Sequence, residues 1–173
     1  MKNKQKQYLC IDFKSFYASV ECVERGLDPF QVNLVVADPD RGGGAITLAA
    51  TPAIKKLGVP SRGRIFQIPK NISYKIAQPR MHLYMEYAAK IYGIFLKYIS
   101  PDDIVVYSID ESFFDVTSYL ELYQTTAPKL AKKIIEFSSS IKITLKSNSS
   151  NCFKSKYVKA SFLLSLFILL KVF

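Results

Sequence analysis

The sequence predicts a mixed α/β (α+β) protein, and three observations lead to that prediction. Apolar, β-branched runs at residues 8–13 and 105–111 indicate two buried strands. Between them, residues 84–98 carry apolar side chains at helical spacing. Acids stand at the ends of both strands, at Asp12 and Asp110. Functional groups of α/β proteins commonly lie at strand ends, so these acids are the first candidates for a site.

Each predicted element has a local signal in the first half of the chain. A strand at 9–13 leads into a helix at 15–25, which Gly26 ends because glycine tolerates the left-handed cap. An apolar strand at 34–37 is followed by a run rich in Gly and Asp, a connector typical of a hairpin. The remaining predictions are a strand at 45–50, a short helix from Pro52 to Lys56 or Leu57, and a loop with short strands at 59–81.

The second half of the chain continues the alternation. The helix at 84–98 precedes strands at 104–109 and 112–116, and a further helix begins at 130–137. After residue 137, serine- and asparagine-rich tracts lead to an apolar run that is too short for a membrane-spanning helix. Two interpretations of residues 138–173 stay open: a non-native ending, or a tail that lies on a membrane surface.

Composition narrows the class of protein. The 173 residues suffice for one domain or two small ones, and the formal net charge of +10 favours a polyanionic partner such as nucleic acid. Residues 138–173 hold six lysines and no acid, which leaves +4 for residues 1–137. Three cysteines without a CxxC pair, and no secretory signal, predict a cytoplasmic protein with reduced thiols and no stable membrane association.

The acids at the strand ends predict metal chemistry. Carboxylates are rarely buried unless they have a charged partner or bind a metal ion. If the two strands are neighbours, Asp12, Asp110 and Glu111 form an oxygen-rich pocket suited to Mg²⁺. Two such ions, about 3.5–4 Å apart, are the arrangement that phosphoryl and nucleotidyl transfer uses.

Two motifs resemble those of Y-family DNA polymerases, in particular the bacterial UmuC-like branch. They are DFKSFYASVE at residues 12–21 and YSIDESFFDVT at residues 107–117, and the resemblance covers about residues 8–137. It implies template-directed nucleotidyl transfer in translesion synthesis, DNA repair and the SOS response. It also implies a partial palm with a mixed sheet and backing helices, from residues 1–15 and 80–137, and a small fingers domain at 16–79.

The resemblance assigns roles to single residues. Asp12 and Asp110 would bridge two Mg²⁺ ions, and Glu111 would hold the ion nearest the primer terminus. The main-chain carbonyl of Phe13 would be a further ligand on the nucleotide side. These four residues are the expected metal site, and the three acids are the expected catalytic residues.

The nucleotide site is expected to include Phe16, Tyr17, Thr51 and Lys55. By resemblance, Tyr17 is a steric gate whose ring rejects a 2′-hydroxyl, and Phe16 borders the triphosphate. The alternative is that both pack in the first helix, and that Lys55 belongs to a solvated helix face. The sequence departs from the family pattern at Pro52, where tyrosine is common, and at Lys55, where arginine is common.

Partners follow from the same resemblance: primer–template DNA, a deoxynucleoside triphosphate (dNTP) and the sliding clamp. Past residue 137 the sequence shows no match to the family's Gly-rich strand, Asn-Lys pair, thumb or little-finger domain, or clamp-binding peptide. Because phosphate contacts supply most sequence-independent affinity, we expect a truncated polymerase with impaired activity. The alternative is a non-catalytic fragment that binds DNA or a protein partner.

Overall fold

The computed structural model describes residues 6–140, and side chains through residue 134. Within that range the predicted mixed α/β class is confirmed, with two three-stranded sheets and five α-helices. No helix among the described residues combines the length and apolar character needed to cross a bilayer. Residues 141–173 lie outside the described part of the chain, so both interpretations of the tail stay untested.

The first sheet holds the strands predicted at 9–13 and 112–116 side by side. Its order is β1-β6-β5, all antiparallel, with β1 at Tyr8–Asp12, β5 at Ile104–Val106 and β6 at Glu111–Asp115. The run at 105–111, predicted as one buried strand that ends in the acids, is instead an edge strand with exposed Val105 and Val106, and Asp110 lies in the turn that follows it. Alternate residues of β1 and β6 are buried, as expected when one face of a sheet packs on a core. The register pairs Asp12 with Glu111, which brings the two sequence motifs together.

Two helices cover the buried face of this sheet. They are α3 at Met81–Phe95 and α5 at Ala127–Ser140, and they pack against each other. The core between sheet and helices is dense in large apolar and aromatic side chains, among them Leu9, Phe114, Tyr87, Ile91 and Leu130. The predicted helix at 84–98 is therefore present, shifted by three residues toward the N-terminus.

The second sheet is smaller and has the order β3-β2-β4. Strand β2 at Leu34–Val36 pairs antiparallel with β3 at Ala49–Ala50 and parallel with β4 at Lys75–Ala77. Helices α1 at Phe16–Glu24 and α2 at Pro52–Lys56 belong to the same half of the chain. A second, smaller core lies here, around Val35, Ala50 and Ile54.

Two strands are shorter than predicted, a 3-10 helix occupies a predicted turn, and the helix predicted to begin at residue 130 begins at Ala127. The strand predicted at 45–50 is reduced to Ala49–Ala50, because Thr47 bonds through both its amide and its hydroxyl to the carbonyl of Gly63 instead. The turn-rich run contains a 3-10 helix at Pro39–Gly44. The strand predicted at 104–109 ends at Val106, because the amides of Tyr107 and Ser108 both donate to the carbonyl of Glu111 and close a tight turn.

One helix was missed, and one predicted division stays a prediction. Helix α4 at Thr117–Leu122 follows β6 directly and has no fully buried residue, so its sequence carries little periodic signal. The core of the first sheet also takes in Leu34, Val36 and Ala77 from the second sheet. Helix α1 thus connects the two halves, and the palm and fingers boundaries predicted at 15/16 and 79/80 remain a proposal.

Candidate active site

The three predicted acids converge at one end of the β1–β6 pair. Asp12 is the last residue of β1 and Glu111 is the first of β6, and they are paired in register. Just beyond the pair, the amide of Phe13 donates to the carbonyl of Asp110 at 2.8 Å. Residues almost a hundred positions apart therefore become neighbours through the strand ladder alone.

The carboxylates repel one another. Burial raises the pKa of Asp12, and the charges of Asp110 and Glu111 raise it further, while Lys14 and Lys55 act in the opposite direction. Burial alone disfavours the charged form of Asp12, and the neighbouring acids add electrostatic repulsion that the two lysines oppose. A cation that enters such a site relieves this repulsion.

Two side chains missed in the sequence hold the acids. The Ser108 hydroxyl donates to Oδ1 of Asp110 at 2.8 Å, and the Cys10 thiol donates to Oε1 of Glu111 at 3.5 Å. Serine two residues before an acid is a known local bonding pattern, so Ser108 had a signal that could have been used. Cys10 had none, because its contact depends on the strand register.

A cleft of about 360 Å³ opens beside Asp12 and Asp110. Basic side chains enter it from three separate segments: Lys14 after β1, Lys55 on α2 and Arg62 in the following loop. Only Lys55 among these three was predicted. Lys14 lies within the first motif and could have been suspected, whereas Arg62 lies in a loop whose path the sequence does not indicate. The cleft thus joins an acidic end to a basic wall.

Lys55 is fixed in place rather than solvated. Its Nζ donates to Oγ of Ser15 at 2.6 Å. Burial lowers the pKa of Lys55, Lys14 lowers it further, and Asp12 acts in the opposite direction. Ser15 itself has a left-handed backbone with φ 59°, an uncommon conformation for a residue other than glycine. Strained residues of this kind cluster at functional sites, where surrounding contacts hold them.

Tyr17 lines the same cleft and rests on a second ring. Its ring stacks on that of Tyr84 with centroids 4.6 Å apart and an interplanar angle of 13°. The Tyr84 hydroxyl donates to Oε1 of the fully buried Glu21 at 2.7 Å, and Arg80 donates to both Glu21 carboxylate oxygens. Burial raises the pKa of Tyr17, Asp110 adds to that effect, and Arg62 lowers it. The cluster of Glu21, Arg80 and Tyr84, which the sequence did not suggest, therefore supports the predicted gate.

Phe16 packs in the core, and Thr51 forms hydrogen bonds that connect two elements of the fold. Phe16 is 2% exposed and packs 5.6 Å from the Phe13 ring, although it also forms part of the cleft wall. Thr51 is not among the residues that line the cleft. Its hydroxyl donates to the carbonyl of Val32 at 2.8 Å and accepts from the amide of Leu34 at 3.0 Å. That hydroxyl joins α2 to the start of β2.

The donor set fits a hard divalent cation in its chemistry. Asp12, Asp110 and Glu111 offer carboxylate oxygens, the ligands that Mg²⁺ prefers. The carbonyl of Phe13 accepts from the amide of Phe16 at 3.1 Å, which leaves it a second lone pair. Among residues 6–140, however, no three His, Cys, Asp or Glu side chains are close enough together to form a metal site as they stand. The backbones of the three acids are neighbours, but their carboxylate groups do not surround a single point.

Comparison with known proteins gives a family match. The model of the impB/mucB/samB family matches residues 11–150. The chain is 42% identical over 113 residues to the putative UV-damage repair protein UvrX of Bacillus subtilis (strain 168). The aligned segment covers 64% of this chain and 27% of that protein. It is 34% identical over 132 residues to DNA polymerase IV 2 of the same organism, with 76% of this chain and 31% of that protein covered.

A shorter relative matches over nearly its whole length. The DNA repair protein homolog YozK of Bacillus subtilis (strain 168) is 39% identical over 108 residues, which covers 61% of this chain and 93% of that protein. The chain thus spans about a third of the length of UvrX and DNA polymerase IV 2, at 27% and 31%, and almost all of YozK.

Solved structures share the fold of the described residues. The insertion ternary complex of Dbh DNA polymerase is similar with a TM-score of 0.63 and 26% identity, over 76% of this chain and 38% of that one. DinB from Sulfolobus solfataricus is similar with a TM-score of 0.55 and 27% identity, over 76% of this chain and 39% of that one. Both matches leave more than half of the longer polymerase chain unmatched.

Proposed function

This chain belongs to the impB/mucB/samB family of Y-family DNA polymerase domains, and we propose that it binds a dNTP and adds it to a primer opposite damaged template bases. One observation carries the proposal. Register pairing of Asp12 with Glu111, with Asp110 beside them, places three acids next to a cleft that Lys14, Lys55 and Arg62 make basic. A nucleotidyl-transfer site needs acidic side chains that bind divalent cations and positively charged side chains that bind the triphosphate.

The side chains of the cleft divide the work. Lys14, Lys55 and Arg62 neutralise triphosphate oxygens, and Arg62 adds the planar fork that Lys55 lacks. The ring of Tyr17, supported by Tyr84, forms a wall under the sugar where an added 2′-hydroxyl would collide. These groups bind and orient the nucleotide before any bond is made, which is a large part of catalysis in phosphoryl transfer.

Asp12, Asp110 and Glu111, with the carbonyl of Phe13, would hold the two Mg²⁺ ions. When bound, these ions supply charge neutralisation at the transferred phosphoryl group and acidify the primer hydroxyl. The charges of Asp110 and Glu111, which raise the pKa of Asp12 beyond the effect of burial, fit such a role, because a bound cation would offset this repulsion. Ser108 and Cys10 restrict the carboxylates of Asp110 and Glu111 through their hydrogen bonds.

The sliding clamp and the SOS response rest on the resemblance, and a cytoplasmic location rests on the cysteine pattern; all three are proposals of the same kind. The alternative function is that of a DNA-binding or partner-binding protein without catalysis. The match to YozK favours this alternative. YozK is covered to 93% by the match over 108 residues, and its name describes it as a DNA repair protein homolog.

Primer extension distinguishes the two functions. The 173-residue chain is incubated with a recessed primer–template, Mg²⁺ and all four dNTPs, beside Asp110→Ala. We expect Mg²⁺-dependent addition to the primer that is lost in Asp110→Ala. Binding of the primer–template at wild-type strength by both proteins, with extension by neither, would favour the non-catalytic alternative.

A further inference from the structure

A second cavity, of about 460 Å³, lies between helix α3 and the turn that joins β5 to β6. Met85, Ala89 and Tyr92 line it from α3, and Val106 and Tyr107 line it from the far side. We call it the side cavity. Its volume lies within the range of about 300–1,000 Å³ that is typical of small-molecule sites. The side cavity is therefore large enough for a small organic molecule.

The walls of the side cavity are held by the fold, and one side is open to solvent. The turn is closed by the amides of Tyr107 and Ser108, which donate to the carbonyl of Glu111 at 3.0 and 3.1 Å. Met85, Val106 and Tyr107 are 49%, 58% and 72% exposed. A ligand therefore enters from solvent without opening the core, and little loss of conformational freedom opposes its binding.

The lining of the side cavity disfavours charged ligands. Nine of its eleven residues are apolar or aromatic, and the other two are Ser108 and Ser112. A carboxylate or an ammonium group that left water for this wall would meet no charged partner, so the loss of hydration would oppose binding. An uncharged molecule matches the wall in charge and gains free energy from the burial of apolar surface.

Aromatic rings and one hydroxyl narrow the class of ligand further. The rings of Phe13 and Phe95 are stacked with centroids 6.3 Å apart and an interplanar angle of 6°, and both residues belong to the wall. A flat aromatic molecule gains ring contacts there beyond the area that it buries. Of the two serine hydroxyls, that of Ser108 already donates to Asp110, which leaves the Ser112 hydroxyl to donate to an acceptor atom of the ligand.

We propose that the side cavity binds an uncharged aromatic compound, with its rings against Phe13 and Phe95 and an acceptor atom on the Ser112 hydroxyl. Of the described residues that line the nucleotide cleft, only Phe13 also lines the side cavity, so the two sites are separate. The compound still contacts a residue that holds an acid, because Ser108 donates to Asp110 and forms part of the wall. The site uses none of the three acids and does not depend on nucleotidyl transfer.

Fluorescence titration of the full chain with prodan tests the proposal. Prodan is an uncharged naphthalene with one ketone, and its emission moves to shorter wavelength in apolar surroundings. Val105 and Val106 are adjacent in β5 and are 62% and 58% exposed, but of this pair Val106 alone lines the side cavity. The unaltered chain should bind prodan saturably, with emission at shorter wavelength. Val106→Asp should weaken that binding at least about tenfold, and Val105→Asp should change it less than about twofold.

A matched pair of competitors tests the charge of the ligand. Naphthol, which is uncharged at neutral pH, should displace prodan, whereas naphthalenesulfonate, with the same ring system, should not. The net charge of +10 favours the sulfonate elsewhere on the chain, so this order of displacement reports the uncharged wall.

A substitution that fills the side cavity from α3 gives an independent variant. Ala89 is exposed and lines the side cavity, whereas the exposed Lys90 next to it does not. Ala89→Phe should abolish prodan binding, and Lys90→Phe should preserve it. Because Ala89, Lys90, Val105 and Val106 are all exposed, circular dichroism melting should show that each variant is folded.

Each of several results would overturn the proposal. The first is the absence of saturable prodan binding by the unaltered chain. The second is an equal loss in the two members of either variant pair, and the third is displacement by naphthalenesulfonate at least as strong as that by naphthol. An affinity that falls as the protein concentration rises would also overturn it, because a second copy of the chain would then cover the cavity. Failure of primer extension alone would leave prodan binding intact, so the two proposals are tested separately.

Discussion

The acidic and basic sides of the cleft are built by different means. Asp12 and Glu111 are held by the ladder of two five-residue strands, in which each backbone bond fixes the next. Lys55 and Arg62 lie on a five-residue helix and in a loop, and Lys55 is placed by one side-chain bond to Ser15. The sheet therefore positions the acidic side chains, whereas individual side-chain contacts position the basic ones.

The difference has consequences for mutation. A substitution among the acids should change charge and leave geometry alone, because the ladder does not depend on those side chains. A substitution on the basic side should also shift the remaining basic side chains of the cleft. Between them stands the cluster of Glu21, Arg80 and Tyr84, which ties α1 to α3 and holds the ring of Tyr17.

The largest stability effect is expected at Glu21. Burial raises the pKa of this carboxyl, but hydrogen bonds from Arg80, Arg25 and Tyr84 outweigh it, and the pKa lies below its ordinary value. Glu21→Ala removes the acceptor of two partly exposed arginines and of the buried Tyr84 hydroxyl, and should lower the free energy of unfolding by about 1–3 kcal/mol. Urea denaturation measures it, with Glu86→Gln as the control, because Glu86 forms its described ion pair with His82 at the surface.

The pH dependence follows from the sign of the Glu21 shift. A lowered folded-state pKa means that the contribution is present above the unfolded-state pKa and is lost as the pH falls through the folded-state value. Wild-type stability should therefore drop on acidification below the ordinary value of 4.5, more steeply than in Glu21→Gln. Parallel pH profiles of the two proteins would contradict the assignment.

The next effect concerns the choice of sugar. Tyr17→Ala should reduce the preference for a dNTP over a ribonucleotide about a hundredfold, because the wall under the sugar is gone. Tyr84→Leu, which removes the supporting ring, should give a smaller loss, and Tyr84→Phe should keep most of the preference. Competition binding with both nucleotides measures the ratio. An unchanged preference for the dNTP in Tyr17→Ala would mean that this ring packs against Tyr84 and does not select the sugar.

A smaller effect is expected at Lys55. Lys55→Ala should weaken dNTP binding about tenfold, since it removes one charge-assisted contact to phosphate. Lys56→Ala, at the exposed neighbouring position, is the matched control and should change binding less than twofold. Equal effects of both substitutions would show that only the general charge of α2 matters.

The smallest effect is a gain in stability at Asp12. Because its pKa is raised, the folded chain holds this proton to higher pH than the unfolded chain, and stability falls as the pH rises from 3.8 through the raised value. Asp12→Asn should therefore raise the free energy of unfolding at pH 7, by up to about 1 kcal/mol after solvent screening. Asp102→Asn, at an exposed acid, should change it little. A destabilised Asp12→Asn would contradict the mutual repulsion of the acids.

The same contrast explains what the sequence could predict. Apolar runs and motifs were enough to predict both strands and to single out the three acids. They did not predict that β1 pairs with β6, or that Glu111 begins β6 instead of ending the preceding strand. The helical spacing placed Tyr84 on the apolar face of its helix, but neither its contact with Tyr17 nor the position of Arg62, which depends on a loop path, leaves a periodic signal. Thr51 shows a different case: the family resemblance suggested a contact with the triphosphate, and the described hydrogen bonds of its hydroxyl join α2 to β2.

Calorimetric titration of dNTP into the full chain, with and without Mg²⁺, tests the assignment of the cleft most directly. Binding that requires Mg²⁺, and that falls at least about a thousandfold in Asp110→Asn while the fold is retained, is the predicted result. Binding of equal strength in the absence of Mg²⁺ and in Asp110→Asn would show that the basic wall acts alone and that the paired acids form no nucleotidyl-transfer site.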